Sequence, residues 1–185
     1  MKKFARIIGT GSYLPPKVVT NFDLEKILDT SDEWITARTG IKERRIVTDQ
    51  NTCDLALEAS IKALSMAKLK PEEIDLIILS TTTPDKIFPA TATMLQNRLG
   101  ASCPAFDLQA VCAGFVFALT TAQQYIENGS AKNILVVGSE TMSRIVNWND
   151  RSTAILFADG AGAVILRAEK NTGIKHSKLY SDGNY

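Results

Sequence analysis

A single histidine, His176, and three cysteines, none spaced as Cys-x-x-Cys, leave this sequence short of metal ligands. Zinc sites need about four such side chains at short spacings, so no metal site is expected. Three cysteines (Cys53, Cys103 and Cys112) cannot build a disulfide framework, and they fit reduced thiols in a cytoplasmic setting. Apolar runs of about 20 residues are also missing, so no bilayer-spanning segment is expected. In the basic N-terminus MKKFARIIGTGSY only Ile7 and Ile8 pair before a glycine intervenes. A secretory apolar region needs about 7–15 residues, so no leader is expected. Charge of one sign is lacking too, because the net charge is +1, which argues against a nucleic-acid or membrane-surface footprint over the whole chain. What remains, 45% hydrophobic and 22% charged, has the makings of one sizeable globular core.

Residues 4–9 predict a first strand, which Gly9-Thr10-Gly11-Ser12 brings to its end. A dinucleotide loop fails there, since the third glycine of G-x-G-x-x-G would fall at Leu14 and Pro15-Pro16 follow. Asn21 is expected to cap a short helix through Leu28. Thr30-Ser31-Asp32-Glu33 has the form of a capping box, with Thr30 as N-cap and Glu33 reaching back. The helix it begins carries Trp34 and Arg38 on one face and ends at Gly40. Such a pair fits packing beside a solvated charge; it also suits an adenine ring and a phosphate. The stretch IKERRIV (41–47) reads as a polar, basic connection. Residues 52–68 are a clear amphipathic helix, with Leu55, Ala59, Ala63 and Met66 on one side.

Residues 75–80 predict a short apolar strand, and a loop, TTTPDKIFPATAT, leads from it into a helix closed by Gly100. Phe88 in that loop has no strand or helix to bury it, so it tucks under the loop or reaches a partner. Residues 133–137 predict another strand, ending at Gly138-Ser139-Glu140. A polar stretch holding Asn147, Trp148 and Arg151 follows. In ILFADGAGAVILRA (155–168) two apolar arms flank Asp159-Gly160, a hairpin signal. The last residues resume a strand. The order β-α-β-α-β-α-β-β implies an α/β layer with a mostly parallel sheet and an antiparallel edge.

Residues 104–108 are extended, turn at Gln109-Ala110-Val111, reach Cys112 and pass into a helix that runs to Gly129. A cysteine before free helical N–H groups meets partial positive charge, which favours a thiolate, and those amides can hold an oxyanion. On position alone a buried, inert thiol is the commoner outcome, and Cys112 is a candidate and no more. The helix is apolar nearly all round, through Phe115, Val116, Phe117, Ala118 and Leu119, so it is expected to be buried with cover on both sides. One half-layer of this length covers only one.

Seven stretches recur here in one order: IIGTGSYLP, DTSDEWITARTGIKERR, IFPATATMLQNRLG, CPAFDLQAVCAGF, LVVGSE, NDRST and FADGAGAVIL. Together they make the chain resemble the N-terminal half of the β-ketoacyl-[acyl-carrier-protein] synthase III family, thiolase-fold condensing enzymes that start fatty-acid synthesis. The resemblance implies a thiolase-like half-domain over residues 1–185. It makes Cys112 the nucleophile that accepts an acetyl group from acetyl-CoA, with its own backbone N–H in the oxyanion hole. It places Trp34 against the adenine of coenzyme A together with Arg151, and Thr30 and Arg38 near the adenine and phosphates. Phe88 would cross into the acyl pocket of the other subunit of a homodimer. Decarboxylation of malonyl-acyl-carrier-protein and Claisen condensation would follow, with coenzyme A as a substrate and no further cofactor.

Members of that family are close to twice this length. Their second half carries a His and an Asn that assist the cysteine, and His176 matches neither. The C-terminal half, with its cover for the central helix, is absent from this sequence. Two other readings stand beside this one. A same-fold synthase could prime with a branched or longer acyl group, and a non-catalytic half-domain could bind coenzyme A or a partner without turnover.

Overall fold

Two continuous apolar runs form the centre of the molecule, a computed structural model that describes residues 3–184. Strand β4 (Leu76–Ser80) is buried at every position, and β6 (Asn133–Thr141) at all but two. Their side chains alternate between two cores. Ile77, Leu79, Leu135 and Val137 enter one, and Leu76, Ile78, Ile134 and Val136 enter the other. Strands β1 (Phe4–Tyr13), β5 (Ala105–Leu108) and β7 (Asp159–Glu169) complete a sheet in the order β1-β7-β6-β4-β5. Strands β5, β4 and β6 pair in parallel, and β7 runs antiparallel to both β6 and β1. The reversed strand is therefore internal. The expected antiparallel edge is corrected because β1 returns to pair along the outer side of β7.

Helices α3 (Thr52–Ala67) and α4 (Thr91–Leu99) cover the first core, and α5 (Gly114–Glu127) covers the second. The Gly9-x-Gly11 pair ends no strand, since β1 continues to Tyr13 with a register shift between Ile7 and Gly9. A β-carbon on either glycine would overlap the α3 backbone, at Ala63 and Ala59, so the pair is there to let the helix lie close. Helix α3 buries Leu55, Ala59 and Ala63 as expected, whereas Met66 is 62% exposed and takes the Thr10 N–H on its sulfur at 3.3 Å.

A second sheet pairs β2 (Lys17–Thr20) with β3 (Glu43–Ile46), antiparallel. The supposed basic connection is thus a strand. Its Arg44 is buried and donates to Val19 O, Asn21 Oδ1 and Ile155 O at 3.3, 2.8 and 3.3 Å. Beside it lie α1 (Asn21–Leu24), capped by Thr20 rather than Asn21, α2 (Asp32–Thr39) and α6 (Arg151–Ala154). Leu24, Ile35 and Ile155 form a small core there, with Trp34 and Trp148 packed against it.

Asp159-Gly160 is no hairpin turn. Both residues lie in β7, opposite Thr141 and Glu140, because β6 runs four residues further than its apolar run. The Asp159 carboxylate ties segments together instead, accepting from the Val47 N–H (2.8 Å), the Ser143 N–H (2.8 Å) and the Ser143 hydroxyl (2.6 Å). Residues 170–184 form no strand, although the Ile174 N–H donates to Ala5 O at 2.8 Å.

Helix α5 buries Ala118, Ala122 and Ile126 against the sheet. Its other side is open, with Val116 51% and Tyr125 37% exposed. This matches the expectation that one half-layer of this length covers the helix on one side only. No helix among the described residues is long and apolar enough to cross a membrane.

Candidate active site

The three parallel strands end together, and the crevice beyond their carboxyl ends is where open α/β sheets hold ligands. Chain leaving β5 reaches that crevice through Ala110 (φ −147°, ψ 36°) and enters a 3-10 turn, Val111–Ala113. Val111 sits at φ 48°, a left-handed conformation that costs a β-branched residue about 1–3 kcal/mol. Cys112 is therefore raised on a strained turn just before α5, rather than on the helix itself. The turn is closed by Ala113 N–H to Ala110 O (3.1 Å) and by Gly114 N–H to Val111 O.

Of the three cysteines only Cys112 is exposed. Burial pushes the thiols of Cys53 and Cys103 up, which keeps them neutral and inert. Cys112 lines a cavity of about 560 Å³ with the apolar side chains of Leu14, Val111, Phe115, Met142 and Phe157.

One wall of that cavity is polar, and sequence reasoning missed it. Glu140 extends from β6 into the lining, and its carboxylate accepts the Thr82 N–H (2.8 Å), the Thr83 N–H (3.1 Å) and the Thr83 hydroxyl (2.5 Å). Thr83 in turn accepts the Thr141 N–H on its hydroxyl at 2.8 Å, while its carbonyl takes the Thr52 hydroxyl at 2.6 Å. These bonds fix the front of loop 81–90. Its rear is fixed by Asp107, whose carboxylate accepts the Thr91 and Ala92 N–H groups at 2.7 Å each and so caps α4. The one sequence signal was Glu140 in the Gly138-Ser139-Glu140 segment at which the strand over 133–137 was read to end.

Phe88 stands at the tip of this loop, 81% exposed beside Ile87 at 94%. It does not tuck under the loop, and it lies outside the lining of the cavity at Cys112.

A second constellation forms at α2. Ser31, not Thr30, is the N-cap, accepting the Trp34 N–H at 3.1 Å, and Glu33 makes no capping box. The helix starts one residue later than expected because the Asp32 N–H is taken by Glu25 Oε1 at 2.6 Å. The Arg38 guanidinium lies 4.6 Å from the Trp34 ring centroid and that of Arg151 4.7 Å. Arg151 is steadied by a 2.8 Å bond to Asp29 O. The hydroxyl of Thr30 is buried without a hydrogen-bond partner among the described residues. The structure thus gathers Trp34, Arg38 and Arg151, with Thr30 next to Asp29, the residue that Arg151 binds. None of the four lines the cavity at Cys112. His176 is exposed beyond β7, and no group of three or more metal-ligating side chains exists among the described residues.

The family model of 3-oxoacyl-[acyl-carrier-protein] synthase III matches residues 106–183, the part that runs from β5 through Cys112 to beyond β7. The chain is 69% identical over 185 residues to the β-ketoacyl-[acyl-carrier-protein] synthase III of Vesicomyosocius okutanii, all of this chain against 59% of that protein. Among solved structures, 3-oxoacyl-[acyl-carrier-protein] synthase III from Aquifex aeolicus superposes with a TM-score of 0.89 at 55% identity, over 90% of this chain and 55% of that one. The priming β-ketosynthase of the R1128 polyketide pathway superposes with a TM-score of 0.88 at 39% identity, over 91% and 51%. The chain spans less than three fifths of the length of each. The family resemblance of the sequence motifs and the thiolase-like α/β fold are both borne out.

Proposed function

We propose that this chain is part of a β-ketoacyl-[acyl-carrier-protein] synthase III, the family it resembles in sequence and fold, and that Cys112 is the acyl-accepting nucleophile with which such an enzyme initiates fatty-acid synthesis. The observation that carries this is the position of one exposed cysteine, raised on a strained turn, in the lining of an apolar cavity. The Cys112 sulfur, as thiolate, attacks the carbonyl carbon of acetyl-CoA. A carbon–sulfur bond forms to Cys112 as the one to coenzyme A breaks, and coenzyme A leaves as its thiol. Malonyl-acyl-carrier-protein then loses carbon dioxide, and the resulting carbanion attacks the Cys112 thioester. A carbon–carbon bond forms, the Cys112 sulfur is released, and acetoacetyl-acyl-carrier-protein results.

Coenzyme A approaches over Trp34, whose ring and the guanidinium groups of Arg38 and Arg151 suit an adenine and its phosphates. The orphaned Thr30 hydroxyl supports the same placement, since a buried unpartnered hydroxyl is costly and a ligand would satisfy it. Phe88 serves a homodimer, presenting its ring to the other subunit's acyl pocket, and the enzyme works in the cytoplasm. General-base assistance contributes about 10²–10⁴-fold, and it comes from a His and an Asn outside these 185 residues. The sequence alone is therefore expected to be inactive in condensation.

Intact-mass measurement of the whole protein after incubation with acetyl-CoA tests the assignment. An acetyl adduct is expected on the wild type and none on Cys112→Ser. Labelling that persists in the variant, with Cys53 and Cys103 intact, refutes it. A synthase with a different acyl primer is the second reading, favoured by the likeness to a priming ketosynthase of polyketide synthesis.

A further inference from the structure

We propose that Asn21 is a positioning residue for coenzyme A, the hub of a buried polar strut that holds helices α2 and α6 at the separation the nucleotide needs; this rests on the coenzyme A site just proposed. Both guanidinium groups lie over the same Trp34 ring, yet they come from different helices, Arg38 from α2 and Arg151 from α6. Their joint geometry therefore depends on how the two helices are held. The Asn21 side chain is completely buried where α1 begins. Its Nδ2 group donates to Asp32 Oδ1, in the first turn of α2, at 2.8 Å and to Ile41 O, just past the end of that helix, at 2.7 Å. Its Oδ1 accepts from Arg44 Nη2 at 2.8 Å, and the same Nη2 donates at 3.3 Å to the carbonyl of Ile155, the residue that closes α6. One amide thus grips both ends of α2 and, through one arginine, the end of α6.

A role in stability alone accounts poorly for these residues. An amide at 0% exposure and a guanidinium at 4% are both costly to bury. The three acceptors of Arg44 are two carbonyls and the Asn21 amide oxygen, with no carboxylate to offset the charge. Replacing buried charged groups by apolar side chains of similar volume is often neutral or stabilising. What directional bonds add is a fixed geometry. Both Nδ2 protons and the Oδ1 atom of Asn21 are used, so the amide satisfies its partners in one orientation only. The anchor points also adjoin the clamp, since Asp32 lies two residues before Trp34 and Ile155 four after Arg151. The strut is buried by this chain's own elements, β2, β3, α1, α2 and α6.

The test compares two acetyl donors for Cys112 in the whole protein. One is acetyl-CoA, and the other is the acetyl thioester of N-acetylcysteamine, which carries the same reacting group and no nucleotide. Asn21→Asp keeps the shape and the bond from Arg44, but it sets a carboxylate oxygen against Asp32 Oδ1 and Ile41 O. The KM for acetyl-CoA should rise about 3- to 30-fold, the range for losing a cation–π contact. The maximal rate, and acylation by the short donor, should stay at the wild-type values. Equal losses with both donors overturn the proposal, because Asn21 would then only hold the fold. An unmoved KM for acetyl-CoA overturns it as well. If Asn21→Asp fails to fold, Asp32→Ala decides by the same comparison, since it removes the α2 acceptor from its half-buried side. A wild type acylated by neither donor refutes the acyl-transfer function, and one with equal KM for both refutes the nucleotide site. Both outcomes are distinct from an unmoved KM in the variant.

Discussion

Gly114, the first residue of α5, rests directly on the hydroxyl of Ser80, the last residue of β4, and a β-carbon on the glycine would overlap that oxygen. The contact sets the height of the helix above the sheet and so the position of the Cys112 turn that precedes it. Gly114→Ala should destabilise the protein by about 1–3 kcal/mol, the usual cost of forcing an extra carbon into a packed site. Acylation of Cys112 should fall with it. Denaturant unfolding and adduct mass check the two effects, and adding Ser80→Gly to Gly114→Ala should recover part of both.

The three thiols should behave differently. In the folded protein an alkylating reagent should modify Cys112, while Cys53 and Cys103 should react only after unfolding. Burial raises both buried thiols above the ordinary value of 9.0, so the native state keeps protons that the unfolded chain gives up. Stability is therefore full below that value and falls as pH rises through and beyond it. Urea midpoints measured across the alkaline range should decline, and Cys53→Ala should flatten the decline.

Arg44 donates to acceptors from three separate segments, at Val19, Asn21 and Ile155. Arg44→Met would leave those acceptors buried without a donor, at a cost of about 2–3 kcal/mol. The loss should appear as a lower denaturation midpoint. It should also weaken coenzyme A binding, since Arg151 lies in the helix immediately before Ile155.

Trp34 carries two guanidinium groups, and coenzyme A binding should depend on all three side chains. Arg38→Ala or Arg151→Ala should each weaken the Kd by roughly 0.5–2 kcal/mol, and Trp34→Ala by more. Titration calorimetry with coenzyme A measures this. Unchanged affinity in all three variants would remove the proposed nucleotide site.

Where side chains repeat with a clear period, the sequence was legible. The period of α3, the apolar runs of β4 and β6, and a cysteine between strand and helix all survive in the structure. Features decided by distant partners were not. Thr30 and Ser31 are both good caps, and Glu25, reaching from α1 to the Asp32 N–H, settles which of them is used. The stretch IKERRIV looked solvated because the acceptors of Arg44 lie as much as 111 residues away. Asp159-Gly160 looked like a turn, yet the aspartate's partners are Val47 and Ser143. Glu140 became visible as a cavity residue only once β6 and β7 were paired, because facing positions depend on register.

Strand β1 has one strand partner in the sheet, and that partner is β7. Within this sheet the strand made first thus waits for the one made last, on the order of ten to thirty seconds at about 5–20 residues per second. During that interval β1 and the flank of β6 are both unpaired edges of the kind that recruit other chains. Nascent chains halted before residue 159 should therefore aggregate, whereas chains carried past residue 169 can close the sheet between those two edges. The placement of β7 makes timing of synthesis, as much as sequence, a determinant of soluble yield.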